Sequence, residues 1–160
     1  MNARIGVASL VFSIAVAYAA PVSLPKIRVT PDEADALQAH ASGAGTSGVA
    51  GIRTTVVAGD PTKPGPYTIR LSIPAHTKIQ AHTHRDNRTA VVVAGTWYFG
   101  YGTAANESAA KALPAGSFYT EPGGAAHFAQ TKTDPVLVYI TGDGPTDTVY
   151  VKAGDAPGGK

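Results

Sequence analysis

The sequence contains no cysteine. That absence excludes a disulfide framework, a thiolate nucleophile, a Cys-ligated zinc site and an iron–sulfur cluster. The chain must be stable by packing alone. Charge is also scarce. Asp, Glu, Lys and Arg make up 15% of the residues, the formal net charge is +2, and there is no basic run. These features argue against nucleic acid as the main partner. Nothing in the residue order suggests a Ser–His–Asp triad, a phosphate-cradling glycine loop or a dinucleotide fingerprint. One long apolar run occurs, and it is shorter than the roughly 20 residues a membrane span needs.

That run opens the chain. Arg4 supplies a short positive region, Ile5 to Val16 an apolar region, and Ala17, Tyr18 and Ala19 an A-x-A cleavage site. Residues 1–19 are therefore expected to be a cleaved secretory signal. The mature protein would be periplasmic or extracellular, with no membrane attachment after cleavage.

The chain has 160 residues, enough for one domain with a real core. Eighteen glycines and twelve prolines imply many turns, which favours an all-β architecture. Thr30, Pro31 and Glu33 have the spacing of a helix start with a capping box. The helix is expected to run through Ala34, Leu37 and Ala39 and to stop near His40. The glycine-rich stretch 43–51 is expected to be a flexible connection. Residues 20–49 thus read as an N-terminal helix and linker, 50–154 as a β-domain, and 155–160 as a flexible tail. From Ile52 onward, seven or eight short strands separated by turns suggest a sandwich or barrel. In YTIRLSI, residues 67–73, Tyr67, Ile69, Leu71 and Ile73 alternate with Thr68, Arg70 and Ser72.

The chemistry starts at HTHRDNR, residues 82–88. On a strand, Gln80, His82 and His84 share one face. Two imidazoles at that spacing can reach one ion, and imidazole suits Zn, Cu, Fe and Ni. Two solvated histidines are the other reading of HxH alone.

A second stretch, GSFYTEPGGAAHF, runs from Gly116 to Phe128. Its Gly116, Pro122, Gly124 and His127 form the pattern G-x5-P-x-G-x2-H. Together with His82, His84 and Gly95 upstream, the chain here resembles the cupin superfamily over roughly residues 50–152. The resemblance implies a small jelly-roll β-barrel in which both motifs converge at the barrel mouth. It implies a divalent transition metal (Fe, Mn, Ni, Cu or Zn) held by His82, His84 and His127, with positions open to substrate. It also implies oxygenase, isomerase or hydrolytic chemistry on a small organic molecule. Three-histidine members include dioxygenases, so oxygen-dependent cleavage of an enolisable, phenolic or carboxylate compound leads. A homodimer is implied by the resemblance alone. The other function class is a non-catalytic small-molecule or anion-binding protein.

Arg88 departs from the pattern, because it stands where the family has glutamate. A guanidinium aimed at a divalent ion is unfavourable. At ~4 Å each pair of unit charges repels by about 4 kcal/mol at an effective dielectric of 20. Three readings stay open. Arg88 turns away, paired with Asp86 or Glu121, and the histidines bind metal. Arg88 lies beside the metal and binds an anionic substrate group, as a catalytic residue neutralising a developing anion. Or metal binding is lost and the barrel takes an anion directly.

Gln80, Arg88, Tyr119 and Phe128 are the candidates for substrate contact. Among Trp97, Tyr98, Phe99 and Tyr101, one alternating set should line the cavity. His40 and His76 read as surface residues. Glu121, before Pro122, reads by default as an exposed turn carboxylate.

Overall fold

A computed structural model describes residues 24–158. The expected signal at 1–19 lies outside the described residues. The first element is a single helix turn and a half, α1 (Pro31–Ala36). The Thr30 hydroxyl accepts from the Glu33 amide, and the Glu33 carboxylate accepts from the Thr30 amide at 2.8 Å, so the capping box is complete. The helix is shorter than its sequence suggests. Leu37 is already extended, and Ala39–His40 forms strand β1.

Ten further strands follow: β2 (Arg53–Ala58), β3 (Gly65–Ile73), β4 (Lys78–Thr83), β5 (Arg88–Ala94), β6 (Thr96–Tyr101), β7 (Lys111–Pro114), β8 (Phe118–Glu121), β9 (His127–Gln130), β10 (Val136–Gly144) and β11 (Val149–Tyr150). They form two antiparallel sheets, ordered β1-β2-β3-β10-β5-β8 and β11-β4-β9-β6-β7. This is an all-β jelly roll. The barrel proper begins before residue 50, since β1 pairs with β2 through Ala39↔Thr55 and His40↔Thr54.

The core follows from the period-2 pattern. Tyr67, Ile69, Leu71 and Ile73 on β3 are buried, and β10 sets Val136, Val138 and Ile140 against them in register. Across the barrel, Ile79, Trp97, Phe99, Leu113 and Ala129 complete the same cluster. Each fully buried large aliphatic or aromatic side chain contributes about 1.5–3 kcal/mol. The turn between β5 and β6 requires glycine. Gly95 has φ +74°, and a Cβ there would collide with the Pro135 carbonyl oxygen.

The stretch 43–51 is packed rather than a free linker. Gly45 and Thr46 are buried. The Thr148 hydroxyl donates to the Thr46 carbonyl at 2.9 Å, and the Tyr150 hydroxyl donates to the Ser47 carbonyl at 2.7 Å. The segment lies across the barrel mouth, where the two motifs meet.

Candidate metal centre

Strand β4 carries His82 and leads directly into His84, while β9 opens with His127. His82 and His127 are register partners across β4 and β9, so the sheet itself places two of the rings side by side. All three histidines are buried, and one nitrogen from each lies within 4.8 Å of the others. Each ring is held from behind by a backbone carbonyl. His82 Nδ1 faces the Gln80 carbonyl at 2.7 Å, His127 Nδ1 faces the Ala125 carbonyl at 3.0 Å, and His84 Nδ1 faces the Asp147 carbonyl. A carbonyl can only accept, so Nδ1 carries the proton and Nε2 turns its lone pair inward. This backing arrangement fixes metal-ligating imidazoles.

The rings are neutral. Burial, and then the charge of His127, lower the His82 pKa to about 4. Burial and the nearby Arg88 lower His84 further. Burial also lowers His127, against the opposing pull of Glu121.

Glu121 closes the fourth side. It ends β8, directly opposite Arg88 at the start of β5. Glu121 is 4% exposed, so it is no turn carboxylate at the surface. Arg88 Nε donates to Glu121 Oε2 at 2.6 Å, and Arg88 Nη2 contacts the same oxygen. Arg88 Nη2 also donates to His84 Nε2. Burial disfavours both charges, but each outweighs that penalty for the other: Arg88 is held above and Glu121 below its ordinary pKa. Glu121 Oε2 lies 3.7 Å from His84 Nε2 and 3.8 Å from His127 Nε2. Asp86 is not the partner of Arg88. It accepts from the Tyr67 hydroxyl at 2.7 Å and the Thr146 hydroxyl at 2.6 Å.

No family model matches the chain, and no curated protein matches it. Solved structures do. The polyketide cyclase RemF of Streptomyces resistomycificus superposes with a TM-score of 0.64 at 11% identity, over 83% of this chain and 90% of that one. An RmlC-like cupin of Shewanella frigidimarina matches at 0.52 and 14% identity, over 68% and 85%. The DMSP lyase DddQ of Ruegeria pomeroyi matches at 0.55 and 15% identity, over 69% of this chain and 57% of that one. The chain has the cupin fold.

In this cupin-fold chain the residues singled out by sequence do not all reach the centre. A cavity of about 20 Å³ lies between the histidines, Arg88, Glu121, Trp97 and Tyr119, with Gly45 and Ser47 above it. That volume holds about one water molecule or an ion. Gln80 does not line it. The β4–β9 register shifts between Ile79 and His82, so Ile79 takes the inward position and only the Gln80 carbonyl serves the site. Phe128 also lies elsewhere. It follows His127 on the strand, points to the other face, and covers Gly100, where a Cβ would collide with its ring. Trp97 and Phe99 form the inward aromatic set, while Tyr98 lies under Lys132 at 4.3 Å. Tyr101 is half exposed, and its hydroxyl donates to the Thr120 carbonyl at 2.7 Å. His40 and His76 are exposed.

The donors fit a divalent transition ion. His127 Nε2 is buried and has no hydrogen-bond partner, an arrangement that is costly unless something fills the cavity. Three neutral imidazoles beside one carboxylate suit Fe, Mn, Ni, Cu or Zn. His82, His84 and His127 could hold such an ion.

Proposed function

We propose that this cupin is a metal-dependent enzyme acting on a small enolisable, phenolic or carboxylate compound. The observation that carries the reading is the convergence of three backbone-anchored imidazoles on one buried point, with His127 Nε2 left unpartnered. A bound divalent ion would supply Lewis acidity at a substrate oxygen. The chain's own groups would do the rest. The Nδ1 anchors keep the imidazoles oriented, and the aromatic walls of Trp97, Phe99 and Tyr119 exclude water. Burial and then Glu121 push the Tyr119 hydroxyl well above its ordinary pKa, so Tyr119 stays protonated and can donate to an oxygen. Dioxygenase-type cleavage is the first chemistry to test.

The second class, a binding protein that takes an anion on Arg88, has one observation against it. Glu121 already takes two nitrogens of the guanidinium, Nε and Nη2, and places a carboxylate in the anion's path. Export is supported by the pattern at 1–19. A homodimer is supported by an exposed apolar row on the outward face of the six-stranded sheet: Val91, Val93 and Phe118, with Val91 and Phe118 register partners.

The test is elemental analysis of the untagged mature protein beside His127→Ala, followed by oxygen uptake with enolisable and phenolic compounds. About one transition-metal ion per chain, lost in the variant together with substrate-dependent oxygen uptake, is the expected result. Ligand binding with no substrate change under any metal would place the protein in the binding class.

A further inference from the structure

We propose that Glu121 is the carboxylate ligand of this centre, and that Arg88 is an internal cation which holds Glu121 and His84 until a metal ion displaces it. The inference rests on the metal reading above and concerns how this chain completes the site.

The pattern shared with cupins places a carboxylate in the first motif, at position 88, where this chain has arginine. The carboxylate has not been lost from the site. It stands directly across the sheet, on β8, because Arg88 and Glu121 are register partners. Register partners in an antiparallel pair project to the same face. An acid–base exchange between two such positions keeps both charges inside the barrel and moves the acid one strand over.

The distances agree. The three histidine nitrogens lie within 4.8 Å of one another, and a fourth ligand atom must lie as near to them. Glu121 Oε2 is 3.7 Å from His84 Nε2 and 3.8 Å from His127 Nε2. Among the described residues no other acid competes for the position: Asp86, two residues before Arg88, is held by Tyr67 and Thr146.

Arg88 stands in for the ion. Its Nη2 contacts both His84 Nε2 and Glu121 Oε2, two of the atoms an ion would take. The pair is also strained for partners, since Arg88 Nη1 is buried and has none. A metal cannot take the His84 lone pair while the guanidinium holds it. Arg88 must withdraw on binding, so it lowers metal affinity while Glu121 raises it.

Titration with Co(II), read by its visible absorption and by competition with a chromophoric chelator, tests both halves. The proteins are wild type, Glu121→Gln, Arg88→Met, the double variant Arg88→Met/Glu121→Gln, and His127→Ala. Glutamine keeps the shape and can still accept from Arg88. The double variant removes both charges, so neither is left buried alone. Losing one ligand or one orienting partner typically changes affinity about 10- to 100-fold. Glu121→Gln should weaken Co(II) binding at least about 10-fold and shift the visible band, and Arg88→Met should tighten it by a similar factor. Within the Arg88→Met background, adding Glu121→Gln should again weaken binding. Glu121→Gln with wild-type affinity and spectrum, while His127→Ala loses the ion, would overturn the role of Glu121 and leave the metal reading intact. Arg88→Met no tighter than wild type would overturn the role of Arg88. Co(II) bound by neither wild type nor Arg88→Met would overturn the metal reading, and this inference with it.

Discussion

The two ends of the barrel interior share strands but not chemistry. Along β5 the inward residues run Arg88, Ala90, Val92. Along β10 they run Gly142, Ile140, Val138, Val136, and along β9 His127, then Ala129. One end therefore collects three histidines, an arginine and a glutamate, all 4% exposed or less. The other end collects valines and isoleucines. The apolar end is stabilised by area removed from water, which is additive and tolerant of detail. The charged end depends on pairing: a buried ion pair adds little net stability when intact but is very costly when one partner is missing. A buried polar cluster can be carried on this small barrel because the aliphatic end supplies the stability that the polar end does not.

The sharpest way to break that contrast is to unpair the charges. Glu121→Leu leaves Arg88 buried at 4% exposure with no acid beside it. We expect the metal-free protein to lose about 3–5 kcal/mol in urea unfolding. Arg88→Met/Glu121→Leu should regain most of that, because a packed apolar pair replaces a buried ion pair at little or no net loss. A single variant as stable as wild type would mean that Arg88 reaches solvent, and the two ends would then differ less than the burial implies.

The sequence showed some of this and concealed some. His82, His84 and His127 were legible because each sits in a local pattern, and alternation on one strand is enough to pair the first two. Glu121 was legible as one of two possible partners of Arg88, but not as a buried residue of the centre. Its place depends on the β5–β8 register, a contact between residues 33 positions apart that no local spacing reports. Gln80 was misplaced because the shift between Ile79 and His82 changes which side chains point inward. Phe128 could have been placed by the same alternation that put His127 inside. The segment 43–51 was misjudged for another reason: glycine-rich composition looks the same whether the backbone is free or pinned by Thr148 and Tyr150. Strand β1, two residues long, is too short to show a period.

Acid should expose the charged end next. His82 takes up its proton near pH 4 when folded, and near its ordinary value of 6.5 when unfolded. Between those values the unfolded chain binds more protons, so falling pH favours unfolding by about 1.4 kcal/mol per unit for this group. His84 and His127 shift in the same direction. The metal-free protein should be at full stability above about pH 6.5 and lose on the order of 3 kcal/mol through His82 alone by pH 4. Urea midpoints across that range measure it. His82→Asn should flatten the slope, and an unchanged slope would place the acid sensitivity elsewhere.

The smallest effect belongs to the apolar end. Ile73 is 1% exposed, pairs with Val136, and lies six residues along β3 from Tyr67, whose hydroxyl serves Asp86 beside the centre. At about 3.4 Å per residue that is roughly 20 Å of strand. Ile73→Val removes one buried methylene and should cost about 1 kcal/mol, with no change in Co(II) affinity. Sites separated by more than about 10 Å with no shared partners act additively. The variant combined with Glu121→Leu should therefore lose the sum of the two single losses. A combined loss well away from that sum, or a Co(II) affinity that follows Ile73, would mean that the aliphatic packing sets the ligand geometry and that the two ends act as one unit.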